Sequence, residues 1–130
     1  MIKRLIDNKV LMLSAFWAWY IFLFVMSVMK SPDAVKLELE PNNLFRADYL
    51  IHFSVFFVLG FPFFSAYKSS LTKLPIQIIR FLLLGLILAF ISEYSQKINP
   101  DRTFNPMDLA YNIAGVLISG CCFPFLVRKI

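Results

Sequence analysis

Between Lys9 and Lys30 the chain runs from Val10 to Met29, 20 residues without a charged side chain. A helix needs about 20 residues to cross the roughly 30 Å hydrocarbon core of a bilayer. In lipid the backbone must satisfy its own N–H and C=O groups, so an open chain crosses only as helix. Three further segments fit the same template: about Tyr49 to Tyr67, Ile76 to Glu93 and Met107 to Val127. Composition agrees, with 59% of the 130 residues apolar and 16% charged, against about 45–50% and about 25% in soluble domains. The expected fold class is all-α: a four-helix transmembrane bundle with short connections, residues 1–130 forming a single integral membrane domain.

Other readings of the same features fit less well. Lys3 and Arg4 before an apolar run imitate a secretory signal, but the run exceeds the usual length of about 7–15 residues and has no small-residue cleavage site near Met29. It is expected to remain as the first span. The net charge of +5 comes from basic residues scattered between apolar runs, with no stripe to follow a phosphate backbone, so no nucleic-acid partner is expected. Cys121 and Cys122 are adjacent in the last apolar run. Helix neighbours point in different directions and do not readily bridge, so both are read as small buried apolar residues.

Local signals refine the bundle. Ser31-Pro32-Asp33 can cap and start a short surface helix reaching about Glu40, which Pro41-Asn42-Asn43 ends. Gly60 and Pro62 fall together inside the second span, and a proline there removes a backbone donor, so a kink is expected near its middle. Gly85 with Ala89, and Gly115 with Ser119, place small residues four apart, a spacing that lets helix backbones approach closely in lipid.

Four spans divide the charges between two sides. The N-terminus, the Tyr67 to Pro75 connection and the C-terminus carry Lys3, Arg4, Lys9, Lys68, Lys73, Arg80, Arg128 and Lys129. The opposite side carries Lys30, Lys36, Arg46, Lys97 and Arg102, with seven of the eight acids. Eight basic residues against five place both termini in the cytoplasm by the positive-inside rule. Arg80, about one turn inside the third span, is expected to snorkel to the interface.

On the outer side the last three spans carry paired polar groups: Asp48 with His52, Glu93 with Gln96, and Asp108 with Asn112, spaced four, three and four apart. Each spacing puts a pair on one helix face, and all three lie within about one turn of the same depth at about 1.5 Å per residue. Ionisable groups at the edge of hydrocarbon cost free energy unless they pair or meet water, so the pairs are expected to face one shallow pocket. Arg102 is the cation placed to bridge Glu93 and Asp108. Each residue also has an ordinary use. His52 and Asn112 can hydrogen-bond between helices, Asp108 can cap one, and Tyr94 and Phe104 can serve as interfacial aromatics.

The ordered set Asp48-x-x-x-His52-Phe53, Glu93-x-x-Gln96, Pro100-x-Arg102-x-Phe104 and Asp108-x-x-x-Asn112-x-x-Gly115 resembles the signature of the VanZ-like family, over roughly Asp48 to Ser119. The resemblance implies a small multi-span bacterial membrane protein of the cell envelope, in a family named for a member associated with teicoplanin resistance. It adds weight to Asp48, His52, Glu93, Gln96, Arg102, Asp108 and Asn112 as a ligand-binding site and assigns none of them a role.

The leading functional expectation is binding of a lipid headgroup or lipid-linked envelope precursor at the outer leaflet. Arg102, with Lys97 nearby, would meet phosphate while carboxylates and amides accept sugar or peptide donors. The alternatives are an intramembrane enzyme using His52 with Asp48, Glu93 or Asp108, with or without a divalent metal, and a structural partner protein in which the pairs lock the bundle. No H-E-x-x-H, cysteine cluster, glycine-rich phosphate loop or G-x-S-x-G element occurs, and no cofactor or resident metal is expected.

Overall fold

The computed structural model describes residues 5–29, 47–68, 73–100 and 104–129. Its helices are α1 (Lys9–Val28), α2 (Ala47–Val58), α3 (Gly60–Ala66), α4 (Leu74–Ser95), a 3-10 turn (Gln96–Ile98) and α5 (Pro106–Lys129). There is no strand among the described residues. With α2 and α3 taken as one span, four helical stretches, Lys9–Val28, Asp48–Ala66, Leu74–Ile98 and Pro106–Lys129, are long and apolar enough to cross a membrane. The fold is an all-α four-helix bundle, and its apolar helices are those of a multi-pass membrane protein. The surface helix expected between Ser31 and Glu40 lies outside the described residues.

Local sequence accounts for the helix boundaries. Asn8 caps α1, its side chain accepting from the Leu11 N–H at 3.1 Å. The second span breaks at Leu59, one turn before Pro62, because the proline nitrogen has no hydrogen to give the Val58 carbonyl. Gly60 follows the break, and an added Cβ there would overlap Ser119 Oγ of α5. The missing side chain lets Ser119 Oγ donate to the Phe57 carbonyl at 2.7 Å.

Lipid supplies little hydrophobic drive between helices, so close packing and interhelical hydrogen bonds must hold them. Trp19 Nε1 donates to the Val55 carbonyl at 3.0 Å, Tyr20 Oη to that of Leu88 at 3.3 Å, and Ser27 Oγ to that of Ser92 at 3.0 Å. An aromatic centre fills the middle. Phe63 lies 5.9 Å from Phe16, 5.2 Å from Phe81 and 5.3 Å from Phe64, ring centre to ring centre. Outside it, Ile21, Phe22, Ile51, Leu83, Ile87 and Phe125 stand exposed on all the long helices, as a lipid-facing shell requires.

The small residues sit where helices meet. A Cβ at Gly85 would come within 2.6 Å of Val116 Cγ1, and one at Gly115 would collide with the Phe53 carbonyl oxygen of α2. The expectation for the cysteines is corrected. Cys121 and Cys122 are both exposed, because the buried face of α5 at this level is formed by Gly120, Phe123 and Pro124.

Asp7 and Lys9, before and at the start of α1, meet Tyr67 and Lys68 after α3 at one end. Lys68 Nζ bonds Asp7 Oδ1 at 3.1 Å, and Lys9 Nζ lies 5.0 Å from the centre of the Tyr67 ring. The paired polar residues collect at the other end, where α2 and α5 begin and α1 and α4 finish.

Candidate functional site

Helices α2 and α5 start at the same end and pack closely along their length. Gly115 makes this possible, since the α2 backbone at Phe53 and Phe57 occupies the space a side chain would need. One turn earlier on α5, Asn112 reaches His52, with His52 Nδ1 3.1 Å from Asn112 Oδ1. Tyr49 and Tyr111 stack beside this contact, their ring centres 4.9 Å apart and their planes 16° from parallel. The other ring nitrogen, Nε2, faces Asp108 Oδ2 at 3.6 Å.

Glu93 forms a second centre at the end of α4. Its side chain is completely buried, and each oxygen accepts a hydrogen bond: Oε2 from Gln96 Nε2 at 2.9 Å and Oε1 from the Asn105 N–H at 3.0 Å. Hydrogen bonding of this kind is what makes a buried carboxylate tolerable.

Asn105 joins the two centres. Its Nδ2 donates to Asp108 Oδ1 at 3.0 Å while its Oδ1 accepts from the Met107 N–H at 3.0 Å. Hydrogen bonds therefore run from Gln96 through Glu93 and Asn105 to Asp108, and the 3.6 Å approach of Asp108 to His52, itself bonded to Asn112, carries the contact on to α2, so that the ends of three helices are tied together. Asn105 was not among the residues expected at the site. Its signal was present in Asn105-Pro106, a preferred cap followed by proline at the first helical position, with an acid at the third helical position as in a capping box. Asn105 caps α5, its side chain accepting from the Met107 N–H and its carbonyl from the Leu109 N–H, and Asp108 occupies the first turn.

Of the seven residues expected at the site, His52, Glu93, Gln96, Asp108 and Asn112 join in this network. Asp48 lies half-buried in the first turn of α2, one turn before His52 on the same face. Arg102 and its bridging role lie outside the described residues. Asn112 is only 1% exposed, whereas the side chains of His52 and Asp108 are 23% and 13% exposed. Asn112 can orient the imidazole, and His52 with Asp108 can meet a ligand.

The amide oxygen of Asn112 is an acceptor, so Nδ1 carries the hydrogen in their bond. In the neutral ring Nε2 then presents a lone pair toward Asp108. At 3.6 Å the two acceptors are beyond direct hydrogen-bond distance, but close enough to share one incoming hydroxyl, amine or water. Among the described residues no three His, Cys, Asp or Glu side chains gather as a metal site would require.

Fold and site together define a small all-α membrane bundle with a band of mutually contacting polar residues at one end. Comparison of the chain with family models, curated proteins and solved structures finds no match.

Proposed function

We propose that this chain is a VanZ-like protein of the bacterial cytoplasmic membrane that holds the headgroup of a lipid or lipid-linked envelope precursor at the outer leaflet. Both termini are cytoplasmic in this reading, and the His52–Asp108 edge faces the exterior. The observation that carries it is the partly exposed polar edge where His52 Nε2 and Asp108 Oδ2 converge, 3.6 Å apart. Sugar hydroxyls and peptide or headgroup amines are the donors such a pair accepts. The ordered motif from Asp48 to Gly115 supports the family reading, and with it a role in the envelope for which teicoplanin susceptibility is a suitable phenotype.

Native mass spectrometry of gently purified protein tests the binding. A co-isolated lipid bearing sugar, peptide or amine groups is expected in the wild type and is lost in His52→Ala at unchanged protein abundance. Equal lipid occupancy in the two proteins would overturn the reading. Orientation is tested in intact cells with an impermeant thiol reagent in a background where Cys121 and Cys122 are replaced by serine. Asn42→Cys is expected to react and Ser69→Cys to remain protected, and the reverse pattern inverts the topology.

A further inference from the structure

A second feature at the polar end belongs to neither centre of the polar band. Between α1 and α4 a groove of about 460 Å³ is lined by Phe24, Phe90, Ile91, Tyr94, Lys97 and Ile98, together with Ser95. Its volume falls within the range of about 300–1,000 Å³ typical of small-molecule sites. None of the residues of the His52–Glu93 network lines it. Phe90, Ile91 and Tyr94 follow the helical spacing of one face of α4 and Ile98 follows them in the 3-10 turn, while Glu93 and Gln96 are buried.

The groove is apolar below and cationic at its rim. From Phe90 to Lys97 is seven residues, about 10 Å along the helix at about 1.5 Å per residue. Lys97 Nζ lies 4.6 Å from the centre of the Tyr94 ring and 5.7 Å from that of Phe104. Two aromatic faces thus hold the ammonium at the mouth, and among the described residues no carboxylate forms an ion pair with it. A chain laid on Phe24, Phe90 and Ile91 would bring a charged headgroup to Lys97 at the depth where apolar helix gives way to polar ends.

We propose that this groove seats one anionic phospholipid, with an acyl segment against Phe24, Phe90 and Ile91 and its phosphate at Lys97. The site is separate from the His52–Asp108 edge and does not depend on what that edge binds. The charge arrangement selects the occupant: an ammonium that no carboxylate pairs with among the described residues, set above an apolar wall, complements a phosphate above an acyl chain.

The test is native mass spectrometry of the full chain in detergent with equimolar phosphatidylglycerol and phosphatidylcholine. Preferential retention of phosphatidylglycerol is expected. Lys97→Gln should lower that retention about fivefold, the factor expected for one basic residue at an anionic membrane surface. Lys97→Arg should preserve it, which separates charge from packing, and Ile91→Trp should fill the groove and displace the lipid. Both positions are exposed, and unchanged melting of each variant checks that the bundle is intact. His52→Ala should leave phosphatidylglycerol bound. Equal retention of the two lipids, or wild-type retention in Lys97→Gln, overturns the proposal. Loss of phosphatidylglycerol in His52→Ala alone also overturns it, because that lipid would then occupy the other site.

Discussion

The two centres of the polar band are built from the same residue types and satisfied to different degrees. Glu93 is fully buried and receives a hydrogen bond on each carboxylate oxygen. His52, joined to it through Asn105 and Asp108, keeps 23% of its side chain exposed and holds one ring nitrogen 3.6 Å from a carboxylate oxygen. A polar group placed at the edge of hydrocarbon must be satisfied for the bundle to be stable. A group that is to bind something must retain both access and hydrogen-bonding capacity. Glu93 meets the first requirement and His52 the second. The α4 end of the band therefore reads as a lock, and the α2–α5 edge as the place where a ligand donor would enter.

The largest expected effect comes from breaking the lock. Glu93→Ala leaves the buried Gln96 amide without its acceptor, at about 1–3 kcal/mol, and the part-buried Asn105 N–H without its own, at a smaller cost. The variant is expected to melt well below the wild type in detergent and to accumulate poorly in membranes. A wild-type melting temperature would show that the carboxylate is dispensable to the bundle and would erase the contrast with His52.

Gly115→Val acts on both centres at once. The new side chain meets the α2 backbone at Phe53 and Phe57, and backbone cannot turn aside as a flexible side chain can. Overpacking of this kind costs about 1–3 kcal/mol. Because the Gly115 contact sets the distance between His52 and Asn112, stability and lipid occupancy should fall together in the same samples. A variant that melts lower but keeps full occupancy would separate the site from the helix crossing.

Much of the fold was legible because the bilayer imposes a length rule. The expected start of the last span, Met107, lies one residue from the observed Pro106, and the expected start of the first, Val10, one residue from Lys9. The proline effect was equally local: Pro62 withholds a hydrogen from a carbonyl four residues earlier, and the helix breaks at Leu59. The meeting of the polar pairs could be anticipated from helix direction and depth. What spacing could not supply was rotation about each helix axis. For that reason hydropathy does not tell the exposed Cys121 and Cys122 from the buried Phe123 beside them. Among the described residues Glu93 and Asp108 are linked by an uncharged cap, Asn105, which pair spacing does not reveal because its role depends on where α5 starts; the expected Arg102 bridge lies outside the described residues.

The smallest expected change in stability belongs to His52→Ala, and it sharpens the comparison most. The ring gives up one hydrogen bond and leaves the buried Asn112 oxygen without its donor; interhelical hydrogen bonds in membrane proteins average about 0.6 kcal/mol and reach about 1.7 kcal/mol. A loss in that range moves the melting temperature by a few degrees in a domain of about this length. If His52 were part of the lock, its removal would resemble that of Glu93, with abundance, melting and lipid occupancy declining in step. If it serves the ligand, occupancy at the His52–Asp108 edge should disappear while abundance and melting stay near wild type. Asp108→Asn provides the matched measurement at the same edge: it keeps an oxygen able to accept from Asn105 but replaces a carboxylate by an amide facing His52. It should therefore weaken occupancy with little loss of fold, and occupancy that tracks melting in both variants would assign the whole band to structure.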